Sequence, residues 1–388
     1  MRPARTAARS ARRRSSASSS SGVAAADGRT GRRPAGHRRA GPCRGAARRR
    51  AAAAAPCLWC GRRGRRDTAF LPRPSRGLGY PAVVKDSHAI GVDVGGTKIL
   101  AGVVTREGEV LRRHERTTPT GSQDALLGEL EAAVRELVDA KVTTVGFGLP
   151  STIDQRAGRA VASVNIPLAN LAFRDRMHDA LRLPVGIDND ANAAGIAEWK
   201  VGAGRRTADM IILTVGTGLG GGVILNGKPM RGGSGAGAEL GHTVIVHDGR
   251  PCQGTCTGRG HLEPYVTGVA ATNAAREVFG PAADAHRLVR LAREGDATAI
   301  AILAEIGRYL GSGMGSLVNI FDPELIVVGG GFGVAAGEFL LGPAREILHR
   351  EALPPGRDKV RVVQAELGTA AGLIGAAFVA FEALDAAS

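Results

Sequence analysis

Two glycine-rich turns, each set between apolar runs, constrain this chain more than any other feature. Val92-Asp-Val-Gly-Gly-Thr-Lys98 and Val215-Gly-Thr-Gly-Leu-Gly-Gly-Gly222 stand about 120 residues apart and read as one strand–turn–strand unit used twice. A duplicated unit predicts two lobes facing across a cleft. Glycine permits positive φ and lets backbone N–H groups approach an anion, and Thr97, Lys98 and Thr217 add donors, so the pair reads as a phosphate clamp. The expected contacts are Gly95, Gly96, Thr97, Lys98, Gly216, Thr217, Gly218, Gly220 and Gly221. Taken singly, each turn is also an ordinary tight hairpin. Gly216, Gly218 and Gly221 satisfy G-x-G-x-x-G, but that dinucleotide fingerprint needs a following helix, and Gly222-Val-Ile-Leu225 reads as a strand. A Walker P-loop is absent from the sequence. A third cluster, Gly329-Gly-Gly331 after a buried strand, suits packing of Gly330 and Gly331 against adenosine.

The periodicity predicts alternating strands and helices from His88 onward, an α/β order. Strands are expected at His88–Val94, Ile99–Val104, from Val110, at Val142–Gly148 and at Val185–Ile187, with a Ser122-capped helix over 124–140 whose face carries Leu127, Leu130, Val134, Leu137 and Val138. A helix near 191–201 leads to a second set: strands at 210–215, 222–225, 244–247 and 325–328, a long helix over 297–319, a strand at 360–365 and a small-residue C-terminal helix. Trp199 is expected to pack, and His88, His178 and His286 carry no assigned role.

Residues 1–80 hold 21 Arg, no Lys and 2 Asp, a charge of +19 within a total of +15, so the remainder is mildly acidic and no basic nucleic-acid-binding body is indicated. This segment lacks the apolar content to fold and is expected to be a disordered tail or an upstream start, with the biological start near Val83 or Val84. Weaker readings are a transit peptide, a short signal-like run at 51–60, and metal-ligand spacing at Cys57 and Cys60. Three of the five Cys lie in this tail, which does not make a disulfide framework and fits a reducing cytoplasm. No membrane-embedded body is expected, the longest apolar candidate lying near Leu373–Phe381.

Between the halves, Ile187-Asp-Asn-Asp-Ala-Asn-Ala193 runs from a short strand into a helix. A carboxylate beside an amide at the lip of a cleft can take a proton from a hydroxyl, as phosphoryl transfer to an alcohol requires, and Asp190 is the expected base. The same residues can also cap the helix. His242, Cys252, Cys256 and His261 lie within 20 residues amid Gly and Pro, the donor set of a closed tetrahedral zinc site.

Asp93-Val-Gly-Gly-Thr-Lys98, Gly148-Leu-Pro150, Asn189-Asp-Ala-Asn192, Gly216-Thr-Gly218, Glu239-Leu-Gly-His242, 252–263 and Gly329-Gly-Gly331 together resemble the ROK family of sugar kinases, from about Ile90 to the C-terminus. The resemblance implies a two-lobed actin-like ATPase (ribonuclease H-like) fold, each lobe a mixed sheet flanked by helices, with nucleotide and sugar in the interlobe cleft. The small lobe would comprise 86–190 with 368–388, and the large lobe 191–367 with a zinc loop at 242–263. It implies Mg-ATP and a hexose as partners, Asp93 near the Mg–phosphate assembly, and Asn165, Asn189, Asp190, Glu239, His242 and Glu263 on sugar hydroxyls. A cytoplasmic homo-oligomer, dimer or tetramer, that phosphorylates the 6-hydroxyl of glucose is expected. Alternatives are an N-acetylhexosamine or fructose kinase, a polyphosphate-dependent kinase, or a sugar-responsive repressor, whose helix-turn-helix residues 1–80 do not supply. Three departures stand out: C-x3-C-x4-H replaces the family's C-x-C-x4-C, Ser151 stands where Gly is usual, and Asn165-Ile-Pro-Leu-Ala-Asn170 lacks the common Gly-Trp ending.

Overall fold

In the computed structural model, residues 86–387 are described; the readings placed on residues 1–80, including Cys57 and Cys60, lie outside them. The first half keeps the expected elements in order and adds β5–β7 and α2: β1 (His88–Val94), β2 (Lys98–Val104), β3 (Val110–Thr117), α1 (Gln123–Leu137), β4 (Val142–Leu149), β5 (Ser151–Asp154), β6 (Arg159–Ser163), β7 (Ala169–Leu171), α2 (Phe173–Leu181), β8 (Val185–Asn189) and α3 (Asp190–Val201). Ser122 caps α1, its Oγ accepting from the Ala125 N–H at 3.2 Å. The helix ends at Leu137, short of the expected 140, because Val138 turns extended (ψ 132°) and leaves its side chain 45% exposed.

The second half contains β9 (Met210–Val215), β10 (Leu219–Leu225), β11 (Lys228–Pro229), α4 (Glu263–Val266), α5 (Gly268–Phe279), α6 (Ala285–Arg293), α7 (Ala297–Phe321), β12 (Leu325–Gly329), α8 (Gly331–Ala336), α9 (Glu338–Glu351), α10 (Gly356–Lys359), β13 (Arg361–Gln364) and α11 (Ala371–Ala387). The strand expected at 244–247 is absent. Ile245 and Val246 both donate to the Gly260 carbonyl, and only an isolated Val244–His261 bridge forms, because the loop folds on its own His and Cys residues rather than along a ladder.

The duplication is explicit in the sheets. One runs β3-β2-β1-β4-β8 and the other β11-β10-β9-β12-β13, each an antiparallel hairpin continued by parallel strands. A three-stranded meander, β5-β6-β7, is a further layer that the sequence reading passed over. Ser151 belongs to it: buried, its Oγ donates to the Ala162 carbonyl at 2.7 Å and fastens β5 to β6.

The C-terminal helix α11 returns to the first sheet and also packs on α3. The apolar stretch 368–386 is long and hydrophobic enough to cross a membrane by composition, yet 61% of its window is buried within this fold. Its close approach depends on Gly91, Gly146 and Gly186, which lie side by side on β1, β4 and β8. A Cβ on any of them would strike a helix carbonyl, at Leu373, Ala376 or Val379 respectively. Gly146→Ala is therefore expected to destabilise the protein by about 1–3 kcal/mol or more, read as a lower denaturation midpoint in urea; an unchanged midpoint would contradict this packing.

Candidate active site

The loops joining β1 to β2 and β9 to β10 form the expected turns. In the first, the Gly95 N–H donates to the Lys98 carbonyl at 2.9 Å and the Thr118 hydroxyl donates to the Gly95 carbonyl at 2.7 Å. In the second, the Gly216 N–H donates to the Gly218 carbonyl and the Gly268 N–H, at the start of α5, donates to the Gly216 carbonyl. Thr97 is exposed, while Lys98 pairs with Glu115 at 3.0 Å and still lowers the Asp93 pKa by its charge. Gly220 and Gly221 are a correction: they lie inside β10, paired with Thr214 and Leu213, not in the turn. A Cβ on Gly220 would meet Ala191 at 2.6 Å, and one on Gly221 would meet Leu240 at 2.5 Å, so these glycines admit close packing rather than phosphate.

Asp93 is the penultimate residue of β1, and Asp190 begins α3 directly after β8, so parallel neighbours β1, β4 and β8 bring both carboxylates to the C-terminal end of these strands. Gly148 on β4 lies between them: a Cβ there would stand 3.6 Å from the Asp190 Cα and 3.9 Å from Asp93 Oδ1. Burial pushes Asp93 up to about 6, opposed by the Lys98 charge. Asp190 is pushed up to about 7, first by burial, then by the Asp93 charge, with Glu239 adding to it and the Ala191 N–H working against it. A carboxyl poised near neutrality is suited to accept a proton at physiological pH.

The helix-cap reading of this segment also holds. The Asn189 Oδ1 accepts from the N–H groups of Ala191 (2.9 Å) and Asn192 (3.2 Å) and its Nδ2 donates to the Ser151 carbonyl at 3.5 Å, which leaves one side-chain N–H for a ligand, and Asp190 Oδ1 accepts from Ala191 at 2.8 Å. Asp188, fully buried, points to Arg231 instead.

Two adjoining cavities open here. One, of about 410 Å³, is lined by Asp93, Asp190, Thr214, Gly330 and Gly331, and by Gly372, where a Cβ would collide with the Asp93 carboxylate. The other, of about 800 Å³, runs from Gly216 and Thr217 past Gly331 and Phe332 to α5 and α6. Gly330 adopts φ +80°, which only glycine takes comfortably, and a Cβ there would be 2.5 Å from the Val215 backbone. Asn273, Arg276, His286 and Arg290 line the larger cavity and were missed by sequence reasoning, His286 having been given no role. Trp199 does pack, donating from Nε1 to the Thr207 carbonyl at 2.9 Å.

The remaining expected residues ring the site without lining either cavity. Asn165 is exposed, its Cβ 3.2 Å from where a Cβ on Gly96 would sit. Glu239 is raised in pKa by burial first, against the pull of His242, with Glu263 reinforcing it. Glu263 Oε2 accepts from the Leu219 N–H at 3.0 Å, which ties α4 to the second turn.

The ligand atoms of His242, Cys252, Cys256 and His261 all lie within 4.8 Å of one another. The two Nδ1 atoms are 3.1 Å apart, and the sulfur–nitrogen separations are 3.5 and 3.7 Å. The edges of a tetrahedron built from zinc–nitrogen and zinc–sulfur bonds are roughly 3.3–3.8 Å, so the four side chains fit a metal ion. His242 Nδ1 faces this cluster, leaving Nε2 for any other partner.

Two sheets of one strand order, each opened by a glycine-turn hairpin, with Asp93 and Asp190 lining the cavity beside Gly330 and Gly331, define a two-lobed ATPase of the actin-like fold; Gly216 and Thr217 line the adjoining cavity, whereas 95–98 line neither. The ROK family model matches residues 89–383, and the chain belongs to the ROK family. It is 35% identical over 312 residues to a glucokinase of Streptomyces coelicolor, covering 76% of this chain and 97% of that one. A glucokinase of Thermotoga maritima is 34% identical, covering 75% and 96%. The crystal structure of a ROK family glucokinase from Streptomyces griseus, in complex with glucose and AMPPNP, superposes with a TM-score of 0.68 at 35% identity, covering 76% and 100%.

Proposed function

We propose that the protein transfers the γ-phosphoryl group of ATP to the 6-hydroxyl of a hexose, with glucose as the preferred acceptor. The protein is a hexose kinase of its family; the choice of glucose rests on the glucokinase relatives. The observation that carries the reaction is the meeting of Asp190 and Asp93 in a cleft bounded by Gly330, Gly331 and Thr214. Asp190 takes the hydroxyl proton as the oxygen attacks phosphorus in line and ADP leaves. The backbone N–H groups of Gly96, Thr97, Thr217 and Gly218 hold the phosphate oxygens where charge develops, those of Gly95 and Gly216 being taken up inside the turns. Magnesium arriving with ATP would be held by Asp93 and would neutralise the phosphate charge. Asn165, Asn189, Glu239, Glu263 and Nε2 of His242 orient the other hydroxyls.

The large cavity beside Gly331 and Phe332 suits an adenosine, which favours ATP over polyphosphate. His242, Cys252, Cys256 and His261 would hold a structural zinc, which would fix the loop leading to Glu263. A coupled ADP-release assay on the full chain, run with glucose, fructose and N-acetylated hexosamines and with ATP or polyphosphate, tests the reading. Glucose with ATP is expected to give the highest kcat/KM, and turnover of glucose at background level would end the glucokinase assignment.

A further inference from the structure

Asp188 is a fully buried carboxylate two residues before the base, and Asp190 itself does not explain it. Its Oδ2 accepts from Arg231 Nε at 2.6 Å, and the same guanidinium donates from Nη2 to Glu382 on α11 at 2.8 Å. Arg231 lies just beyond β11, on the second sheet's hairpin, whereas Asp188 and Glu382 belong to β8 and α11 of the first. One side chain thus reaches from one sheet's hairpin to the strand that delivers Asn189 and Asp190.

The other ends of this connection also lead to the site. Asp188 Oδ1 accepts from the Asn189 N–H at 2.8 Å and from Asn192 Nδ2 at 3.3 Å, which fixes the turn into α3. The Arg231 carbonyl accepts from the Gly237 N–H at 2.9 Å, closing the loop that continues to Glu239. Within that loop a Cβ on Gly235 would stand 2.6 Å from the backbone N of Gln155, so the loop runs close beside this residue, whose Nε2 donates to the Ile187 carbonyl at 2.7 Å. The loop is therefore latched to β8 by Arg231 and passes close beside Gln155, which is bonded to the same strand.

We infer that Arg231 is a positioning residue that sets the spacing between two sugar-facing arms, the Asn189–Asp190 turn and the Glu239 loop, and through that spacing the affinity for hexose. The inference rests on the sugar-side role proposed above for Asp190 and Glu239. Only a planar guanidinium presents two edges to two carboxylates at once, and Asp188 without it would be a buried charge holding neutral donors alone. The nucleotide side, built by the turns at 95–97 and 216–218 and by Gly330, receives none of these contacts.

The test compares Arg231→Gln, Arg231→Lys, Asp188→Asn and the Arg231→Gln/Asp188→Asn double variant with the unaltered full chain, recording separate KM values for hexose and ATP, kcat and the melting temperature. Arg231→Gln is expected to raise the hexose KM at least about tenfold while the ATP KM stays within about twofold. Arg231→Lys, which keeps one ion pair, should recover part of the loss, and the double variant should resemble the worse single one because both act through one contact. Equal rises in both KM values, or an unchanged hexose KM in a folded variant, would overturn the inference. Should Arg231→Gln fail to fold, Arg231→Lys decides by the same split. Absence of hexose turnover in the unaltered chain would instead sink the parent reading.

Discussion

Asp190→Asn is expected to lower hexose phosphorylation by about 10²–10⁴-fold while making the protein more stable above neutral pH. Both effects follow from one carboxyl. Its pKa is pushed up to about 7 by burial, with the neighbouring Asp93 charge adding to the shift. An unfolded Asp ionises near 4. Between about pH 4 and 7 the folded protein therefore keeps a proton that the unfolded chain releases, and stability falls as pH rises through that window. Above pH 7 the folded site holds an ionised carboxylate at a cost on the order of 2–4 kcal/mol, which the neutral amide removes. The variant should melt higher at pH 8 and differ little near pH 4. In the unaltered protein kcat/KM should rise as pH climbs towards and through 7, as the base form appears. Wild-type turnover by Asp190→Asn, or a lower melting temperature at pH 8, would remove Asp190 from this role.

Cys252→Ser carries the second large effect. Its sulfur is one of four ligand atoms gathered within 4.8 Å, and the loop they close runs through Leu262 directly to Glu263. A structural zinc supplies folding free energy on the order of 10 kcal/mol to small zinc domains, so a larger protein is expected to lose local order when it goes. Zinc content should fall from roughly one ion per chain towards zero, and the hexose KM should rise about tenfold or more because Glu263 is no longer held on the second turn. The ATP KM should change less. Full zinc content in the variant would refute the ligand set. Substituting His for the family's last Cys leaves two thiolates and two neutral imidazoles, a set whose two negative charges would balance a divalent ion.

The parts of this account legible in the sequence are those whose signal is local. Hairpins flanked by apolar runs, the Ser122 cap, the Asn189–Asp190 turn and the four metal-ligand side chains each fall within a few turns of chain. What escaped notice depends on register between distant segments. Gly91, Gly146 and Gly186 become one smooth track for α11 only once three strands pair in register, and nothing near any of them announces it. Gly220 and Gly221 look like turn residues because glycine serves both tight turns and close packing; Ala191 and Leu240, on other segments, decide between the two. Asn273, Arg276, His286 and Arg290 sit on amphipathic helices whose polar faces read as solvent-facing, yet the fold turns them towards the large cavity. Arg231 was likewise unremarkable until Asp188 and Glu382 met it.

The most direct measurement is a crystal structure of the full chain with hexose and a non-hydrolysable ATP analogue. A sugar hydroxyl within about 3 Å of the Asp190 carboxylate, with phosphate oxygens on the N–H groups of both glycine turns, is the predicted result. A nucleotide held by one turn alone, or a sugar bound with Asp190 facing away from it, would contradict the account.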